Sequence, residues 1–211
     1  MTEAIYFTFL ALLVLPALDY FLALYILPDV KTSTDSVDFP IAVSAIIACH
    51  NEELHIERKV REVAAQFVDA GVTEFEIIVV SDGSIDNSDT ILQGLDSEGV
   101  VNFIKLDARG GKPGALNRGI AISQHPILLF SDVRQTFSHG ATKSLLSHLT
   151  DPKIGAATSQ LELSGDTSPT RKWMNSLKLR ESRKGSTTGM CGALYVVRKE
   201  LLDELPSDTI L

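Results

Sequence analysis

The sequence predicts an α/β protein, in which a mainly parallel sheet is covered by helices on both faces and preceded by one apolar N-terminal helix. Two observations indicate this class. From residue 41 onward, short apolar runs rich in β-branched residues alternate with segments of helical periodicity, as parallel strands with crossover helices require. A separate apolar stretch of 24 residues stands before them. The 211 residues suit one sizeable domain with its own core.

Composition excludes several other classes. The chain has 19 Lys and Arg against 27 Asp and Glu, a net charge of −8, so a nucleic-acid-binding surface built from clustered cations is not expected. A content of 45% hydrophobic residues excludes a disordered chain. Cys49 and Cys191 both lie in apolar stretches, which favours small packing residues in a reducing compartment over a disulfide framework.

The N-terminal stretch, residues 4–27, carries one charge, Asp19, and is long enough to cross the ~30 Å hydrocarbon core of a membrane as a helix. It predicts a transmembrane anchor over residues 1–28. The alternatives are a cleaved signal peptide and a buried amphipathic hairpin; Glu3 disfavours the signal peptide, because it stands where a positive segment would precede the apolar run. Because Lys31 is the first basic residue, the positive-inside rule places the remaining chain in the cytoplasm, with the anchor in the inner membrane. Residues 29–40 are polar and predict a linker.

The alternation then fills a single domain, residues 41–211. Continuous apolar runs predict five strands, at residues 41–48, 76–81, 101–106, 126–131 and 154–159. Helical periodicity predicts the segments between them, at residues 53–70, 86–95, 113–123 and 141–149. In the first of these helices the predicted apolar stripe consists of Leu54, Ile56, Val60, Val63, Ala64, Phe67 and Val68.

Polar clusters follow four of the predicted strands. Because open α/β sheets bind ligands outside the carboxyl ends of their strands, these clusters should meet at one rim. They are His50-Asn51-Glu52-Glu53, Asp82-Gly83-Ser84, Arg109-Gly110-Gly111-Lys112 and Asp132-Val133-Arg134. Neither a P-loop nor a G-x-G-x-x-G fingerprint is present, so the commonest nucleotide sites of such sheets are not expected.

Three residues of the rim have chemistry suited to a nucleotide. Asp82 can accept hydrogen bonds from a base or ribose, Lys112 can approach a diphosphate from a glycine-flanked turn, and Asp132 can hold a divalent cation against phosphate oxygens. Each also has a plainer interpretation, as a turn residue, a solvated cation and a strand-ending cap. His50 and His55 lie five residues apart, which disfavours a zinc site.

The segment of residues 171–184 is basic and contains Trp173. Its pattern is more typical of a solvated amphipathic helix, and it is also compatible with a helix that faces a membrane surface or a substrate. The sequence leaves this choice open.

Five motifs in this order resemble family 2 glycosyltransferases with the GT-A nucleotide-sugar-binding fold. ACHNEE at residues 48–53 resembles the family's P-x-x-N-E start, and VVSDGSIDNS at 79–88 its D-D-G-S-x-D turn. GGKPGALNRGI at 110–120 resembles the G-K-x-x-A-L-N element, and FSDVRQTF at 130–137 occupies the D-x-D position. STTGMCGALYVVRKEL at 186–201 resembles the glycine-rich segment before the acceptor site. The resemblance covers residues 41–211.

The resemblance implies a nucleotide-sugar site and an inverting transfer. Asp82 would contact the nucleobase, Asn51 and Glu52 would help form the nucleotide pocket, and Lys112 would lie near the diphosphate. Asp132 would engage the donor and its metal, Mg²⁺ or Mn²⁺. The acceptor would be a glycan or a lipid, and the process polysaccharide or glycolipid synthesis at a membrane.

Two departures qualify these expectations. Arg134 occupies the third D-x-D position, where a second carboxylate would stand. The acidic motif that supplies the family's catalytic base, and the later Q-x-x-R-W element, are expected beyond Leu211, so no catalytic base is assigned within these residues. The expected function is therefore the donor-binding part of a membrane-anchored glycosyltransferase; the alternative is a truncated, non-catalytic nucleotide-sugar-binding module.

Overall fold

A computed structural model describes residues 2–30, 42–162 and 168–209. Most of the predicted linker, residues 29–40, lies outside them. The chain divides into two compact units, Met1–Thr32 with Glu162–Gly189, and Ser33–Leu161 with Met190–Leu211. We call them the helix unit and the sheet unit.

The sheet unit contains a six-stranded sheet of order β3-β2-β1-β4-β6-β5. Strands β1 to β4 are parallel, while β6 runs antiparallel to both of its neighbours. The strands are β1 (Ala42–Cys49), β2 (Glu74–Asp82), β3 (Asn102–Leu106), β4 (Ile127–Ser131), β5 (Ala156–Thr158) and β6 (Leu194–Arg198). The predicted fold class is confirmed. The sequence analysis missed β6, whose short run LYVVR follows a glycine-rich segment rather than a helix.

Helices cover both faces of the sheet. They are α2 (Ile56–Ala70), α3 (Ser88–Ser97), α4 (Gly111–Ile122) and α5 (Ala141–His148). Alternate residues of β1 enter different cores: Ala45 packs with Phe67 of α2, and Ile46 packs with Leu116 of α4. Burial on both faces explains why the strands are continuously apolar.

The helix α4 lies unusually close to β1. A Cβ atom on Gly119 would come within 2.5 Å of Ile46 Cγ2, so only glycine allows this approach. Two hydrogen bonds also join α4 to the segment after β6: the Asn117 side chain donates to the Leu205 carbonyl at 2.8 Å and accepts from the Leu205 amide at 2.9 Å. These contacts fix the position of α4, which begins at the predicted rim.

The first helix of the sheet unit is shorter than predicted. It begins at Ile56 rather than residue 53, because residues 51–55 form the turns that leave β1. Leu54 is therefore exposed in a turn and not part of the apolar stripe, and Val68 is exposed on the outer side of the helix. The helix ends as predicted at Gly71, which adopts a left-handed conformation with φ of 78°.

The helix unit consists of α1 (Thr2–Ile26) and α6 (Pro169–Arg183). In the part of the chain that the structure describes, α1 is the one helix long and apolar enough to cross a membrane, over Thr8–Ile26. Its large apolar side chains are mostly exposed, including Phe9, Leu13 and Leu22. The basic segment predicted at residues 171–184 corresponds to α6.

Candidate functional site

A cleft of about 290 Å³ opens in the sheet unit where β1, β2 and β4 end. Three of its lining side chains are carboxylates and three are cations, so the charges nearly balance. The lining residues are Ala48, Cys49, His50, Glu52, Asp82, Arg109, Gly111, Lys112, Asp132, Val133, Arg134 and Gln135. Members of all four polar clusters predicted for the rim therefore meet here.

Asp82, the last residue of β2, is buried and holds the loop that leads into α4. Its Oδ1 accepts a hydrogen bond from the Gly110 amide at 2.6 Å, and its Oδ2 accepts one from the Gly111 amide at 2.9 Å. These amides precede and begin a helix, so the carboxylate also meets the positive end of the helix dipole. The sequence prediction for Asp82 named a ligand contact and did not include this second role.

The backbone next to Asp82 is equally constrained. Gly83 has a φ of 64°, and a Cβ atom there would lie 2.9 Å from the Arg109 amide nitrogen. The Asp82 carbonyl lies 2.7 Å from His50 Nδ1. The turns after β1, β2 and β3 are thus joined through hydrogen bonds and a close backbone contact that only glycine permits.

Lys112 and Asp132 form an ion pair across the cleft, with Lys112 Nζ 2.6 Å from Asp132 Oδ1. Both side chains are partly exposed. The Asp132 charge also acts on Tyr195, whose pKa is raised to about 12 by burial and by this carboxylate. A cation and a carboxylate in contact at an open rim can separate to meet a diphosphate and a divalent cation, respectively.

Arg134 forms the second ion pair of the cleft. Its Nε lies 2.8 Å from Glu52 Oε1 and 3.0 Å from Oε2, while most of the guanidinium is exposed. The guanidinium thus stands where a second D-x-D carboxylate would be, and its unused N–H groups can donate to phosphate oxygens. Glu52 is the more buried partner, so it positions the arginine at the cleft entrance.

Asn51 is the one predicted site residue that does not line the cleft. It has a positive φ of 55°, and its Oδ1 accepts a hydrogen bond from the Ile85 amide at 2.9 Å. Its own amide donates to Ser84 Oγ at 3.1 Å. Asn51 therefore holds the turns after β1 and β2 together, and Asn is among the residues that tolerate a left-handed backbone.

A set of polar side chains on α2 holds the loop after β4, and the sequence analysis missed it. The buried Lys59 ammonium donates to the Gln135 carbonyl, pairs with Glu62 at 2.7 Å, and lies 3.9 Å from the Phe137 ring centroid. Burial lowers the pKa of Lys59, although Glu62 opposes this shift. Glu62 accepts a hydrogen bond from the Phe137 amide at 2.8 Å. The available signal was a lysine next to Val60, at the edge of the apolar stripe of α2.

The cleft fits a divalent cation only in one way. Among the described residues, no group of three or more His, Cys, Asp or Glu side chains is placed to hold a metal ion. Glu52 pairs with Arg134, and Asp82 accepts hydrogen bonds from two backbone amides. Asp132, which directs one carboxylate oxygen at Lys112, is therefore the carboxylate proposed for a cation. This fits a cation that takes its remaining ligands from phosphates and water, as Mg²⁺ commonly does.

The other reactive groups of the cleft are already engaged. Glu52 pairs with Arg134, Asp82 holds two amides, and Asp132 pairs with Lys112. Burial raises the pKa of the Cys49 thiol to about 11, so it is a packing residue rather than a nucleophile. The geometry supports binding of an anionic ligand more directly than acid–base chemistry by these side chains.

Comparison with known proteins identifies relatives of this arrangement. Poly-beta-1,6-N-acetyl-D-glucosamine synthase of Staphylococcus epidermidis is 23% identical over 172 residues, which are 77% of this chain and 41% of that protein. The chain thus spans less than half the length of this curated relative.

Two solved structures share the fold. The mannosyltransferase PcManGT from Pyrobaculum calidifontis, in complex with GDP-Man and Mn²⁺, matches with a TM-score of 0.73 at 22% identity, over 99% of this chain and 60% of that one. TarS of S. aureus, residues 1–349 in complex with UDP-GlcNAc, matches with a TM-score of 0.51 at 21% identity, over 61% of this chain and 37% of that one.

The family model for glycosyl transferase family 2 matches residues 44–205, which include every residue of the cleft. This range runs from β1 to the segment held by Asn117, and it therefore covers most of the described sheet unit. The chain belongs to glycosyl transferase family 2 and adopts its GT-A fold.

Proposed function

We propose that this chain is the donor-binding part of an inverting glycosyltransferase, which transfers a sugar from a nucleoside-diphosphate sugar to a polysaccharide or lipid acceptor. The observation that carries the proposal is the Lys112–Asp132 ion pair, which lies in the cleft at the carboxyl ends of the strands. It brings a cation suited to a diphosphate next to a carboxylate suited to a metal. PcManGT and TarS were solved with nucleotide-sugars, which supports the same ligand class here.

The nucleoside is proposed to bind against Asp82. A carboxylate has about four acceptor positions, so Asp82 can accept a hydrogen bond from a base while it still holds Gly110 and Gly111. Glu52 and Asn51 are proposed to complete this pocket, Glu52 from the cleft wall and Asn51 by holding the turns that form it.

The diphosphate is proposed to bind Lys112, with Arg134 and Arg109 as further cations. An incoming diphosphate competes with Asp132 for Lys112, because both are anions and the ion pair is partly exposed. Separation of the pair frees Asp132 as the donor arrives. Arg134 has exposed N–H groups that can contact the same phosphates without breaking its contact with Glu52.

A divalent cation, Mg²⁺ or Mn²⁺, is proposed to be held by Asp132 together with the donor phosphates. When bound, such an ion neutralises negative charge that develops on the departing nucleoside diphosphate. Lys112 and Arg134 stabilise the same charge from the protein side. Because Arg134 replaces a carboxylate, part of the charge neutralisation comes from the protein, and the metal contributes less to donor affinity than it would at a site with two carboxylates.

Transfer is proposed to proceed by in-line attack of an acceptor hydroxyl on the anomeric carbon, with inversion. A carboxylate must accept the hydroxyl proton. Glu52, Asp82 and Asp132 are each engaged in other contacts, so the proton acceptor is proposed to lie outside this group. The cleft residues then bind and orient the donor, and exclude water from the sugar when the site is occupied.

The site is proposed to act at the cytoplasmic face of the inner membrane, with α1 as the anchor. The exposed apolar surface of Thr8–Ile26 supports the anchor, and the absence of basic residues before Lys31 supports this orientation.

Calorimetric titration tests the donor site directly. The full chain in detergent is titrated with UDP-GlcNAc and GDP-Man in Mn²⁺, and compared with Lys112→Met. We expect at least one donor to bind, and Lys112→Met to weaken that donor about 10- to 100-fold, because a charge-assisted contact to phosphate is lost. Lys153→Met, which removes an exposed lysine that does not line the cleft, is the matched control. Equal affinity of Lys112→Met and the control would contradict the site.

A further inference from the structure

The helix α6 carries a concentration of positive charge that the donor site does not use. Residues 169–184 contain six Lys and Arg residues and a single carboxylate, Glu181, in a chain whose net charge is −8. The six cations are Arg171, Lys172, Lys178, Arg180, Arg183 and Lys184. The helix unit is thus locally basic in an acidic protein.

The single carboxylate is not part of the outer surface. Glu181 is buried and accepts hydrogen bonds from the Tyr20 hydroxyl of α1, from Thr187 Oγ1 at 3.0 Å and from the Thr188 amide at 3.2 Å. Burial would raise the pKa of Glu181, but these hydrogen bonds outweigh it and lower the pKa. Glu181 therefore stays ionised and fastens α6 to α1, while the charge that α6 presents outward is positive.

The helix α6 packs against the C-terminal turns of α1. Trp173 lies 6.4 Å from the Phe21 ring, centroid to centroid. Arg180 lies 4.4 Å from the Tyr25 ring centroid, and Glu181 meets Tyr20. These partners all lie in the last turns of α1, which ends at Ile26.

The end of α6 is held where α1 ends. Lys184 donates to the Leu27 carbonyl and pairs with Asp29 at 2.6 Å, and the Val30 amide donates to the Arg183 carbonyl at 2.7 Å. The Lys184 hydrogen bond is the main cause that lowers the pKa of Asp29. If α1 spans a bilayer over Thr8–Ile26, α6 lies at the boundary between hydrocarbon and headgroups.

Apolar side chains are interleaved with the cations on the exposed surface of α6. Trp173, Met174 and Leu179 are each about half exposed, and Lys172 and Arg183 are exposed on the same helix. Interleaved aromatic, aliphatic and cationic side chains are typical of helices that lie in a membrane interface. Long cationic side chains can extend their charges to the headgroups while their stems remain among apolar groups.

We propose that the outer surface of α6, with Lys172 and Arg183 as its exposed cations, binds the anionic headgroups of the bilayer that contains α1. The proposal rests on the membrane anchor of the proposed function. Charge complementarity and the position of α6 at the end of the apolar helix select a lipid surface, because a soluble polyanion would not need the interleaved apolar side chains. Binding there sets the depth and tilt of the helix unit relative to the bilayer surface.

The chain contains one tryptophan, and it lies on α6, so intrinsic fluorescence reports on this helix. The full chain is reconstituted in nanodiscs of phosphatidylcholine mixed with phosphatidylglycerol, in which one or the other lipid is brominated. We expect brominated phosphatidylglycerol to quench Trp173 more strongly than brominated phosphatidylcholine at equal content. High salt should reduce this difference, because the attraction between cations and headgroups is screened.

The variant Lys172→Gln with Arg183→Gln removes the two exposed cations and leaves Trp173 in place. We expect its preference for phosphatidylglycerol to fall by about 25-fold, since each of the two cations near an anionic surface is worth about a 5-fold change in partitioning. The matched control, Arg118→Gln with Lys153→Gln, removes the same charge from exposed positions of the sheet unit and should keep the preference.

Three outcomes overturn the proposal. Equal quenching by both lipids in the parent chain would show that α6 does not select anionic headgroups. An equal loss of preference in both double variants would show that net charge, not α6, is responsible. Failure of the parent chain to float with vesicles would refute the anchor and this proposal together. Donor titration in detergent is independent of all three, so it separates a failure here from a failure of the nucleotide-sugar site.

Discussion

The two sides of the cleft are built differently. We name the sides after the parts of the donor that they are proposed to bind: the base side contains His50, Asp82 and the amides of Gly110 and Gly111, and the phosphate side contains Arg109, Lys112, Asp132 and Arg134. Glu52 belongs to both sides, because it is proposed to complete the nucleoside pocket and it pairs with Arg134. Asp82 is 4% exposed and hydrogen-bonded to two backbone amides. On the phosphate side, the exposed fractions of the Lys112, Asp132 and Arg134 side chains are 37%, 30% and 69%, and their main contacts are ion pairs.

This difference indicates that one side of the cleft is preorganised for the ligand, whereas the other side rearranges when the ligand binds. Buried hydrogen bonds to the backbone are costly to break, so the base side is organised before the donor arrives. Exposed ion pairs contribute about 0–1 kcal/mol, so the phosphate side can exchange its partners for the charges of a ligand at little cost. Substitutions on the base side should therefore affect both stability and binding, and those on the phosphate side chiefly binding.

The largest effect is expected for Asp82→Ala. It leaves the Gly110 and Gly111 amides without their acceptor, which should lower the free energy of unfolding by about 2–4 kcal/mol. Donor affinity should fall about 100-fold or more, because the loop that carries Lys112 loses its support and the base loses its acceptor. Denaturant unfolding and calorimetric titration measure the two effects.

Asp82→Asn is the control for this prediction, because it keeps the shape and one acceptor oxygen. Its effects should fall between those of the parent chain and Asp82→Ala in both measurements. If the Asp82→Ala protein is destabilised but binds the donor with parental affinity, Asp82 stabilises the fold without contributing to donor binding, which would contradict the proposed base side.

Asp132→Asn should give the next largest effect, confined to binding in the presence of metal. The amide is a weaker ligand for a hard cation, so donor affinity in Mn²⁺ should fall about 10- to 50-fold. In EDTA the same variant should bind a nucleoside diphosphate as well as the parent or slightly better, because Lys112 no longer has an anionic partner. Titrations with and without metal measure both. Stimulation by Mn²⁺ equal to that of the parent would show that Asp132 is not the metal ligand.

The sequence predicted those parts of the site that depend on strand ends. Asp82, Lys112 and Asp132 were predicted to lie at one rim because the carboxyl ends of parallel strands meet at one edge of a sheet, and all three line the same cleft. The ion pairs between Lys112 and Asp132, and between Arg134 and Glu52, were not predicted, since they depend on side-chain directions.

Other features were missed for reasons of local physics. The strand β6 is five residues long and antiparallel, so it breaks the alternation on which the prediction of the sheet relied. Lys59 was not noticed because lysine is rarely buried, and only the fold brings the Gln135 carbonyl and Phe137 ring over it. Asn51 was predicted from a motif to help form the nucleotide pocket, and the motif does not reveal that its side chain accepts a hydrogen bond from the Ile85 amide in the neighbouring turn.

Lys59→Met tests whether α2 supports the phosphate side by holding the loop of residues 132–137. The change removes the hydrogen bond to Gln135 and leaves Glu62 partly buried without its cation, which should cost about 1–3 kcal/mol of stability. Donor affinity should fall about 5- to 10-fold through displacement of the 132–137 loop. If Lys59 positions this loop, the variant should bind a nucleoside diphosphate more weakly than the parent does, and a free nucleoside equally well. Equal losses for both ligands would show a general loss of structure, and Lys59→Arg should restore part of the difference.

Arg134→Gln should change stability by about 1 kcal/mol or less, because the arginine side chain is largely exposed and a glutamine amide can still donate a hydrogen bond to the more buried Glu52. Donor affinity should fall about 3- to 5-fold, and the decrease of affinity with salt should become less steep, since one phosphate contact is lost. Thermal unfolding and titrations over a range of salt concentrations measure these effects. An unchanged salt dependence of donor affinity would show that Arg134 does not contact the donor phosphates.

The smallest effect is expected for Asp86→Asn, which tests whether the turns of the base side support the cleft without contacting the ligand. Asp86 accepts hydrogen bonds from the Ser88 amide at 3.0 Å and the Glu53 amide at 3.1 Å, at the start of α3. Burial would raise the pKa of Asp86, but these hydrogen bonds outweigh it and lower the pKa below its ordinary value near 4.

A carboxyl group whose pKa is lowered by folding stabilises the protein above its unfolded-state pKa, and this contribution disappears as the pH falls through the folded-state value. The parent chain should therefore exceed Asp86→Asn in free energy of unfolding by about 1 kcal/mol at neutral pH, and the two should converge as the pH falls through the lowered folded-state pKa of Asp86. Urea unfolding at several pH values measures the difference. Donor affinity at neutral pH should be the same in both proteins, because Asp86 does not line the cleft. A loss of affinity without a pH-dependent loss of stability would move Asp86 from the supporting turns into the ligand site, and the base side would then extend beyond Asp82.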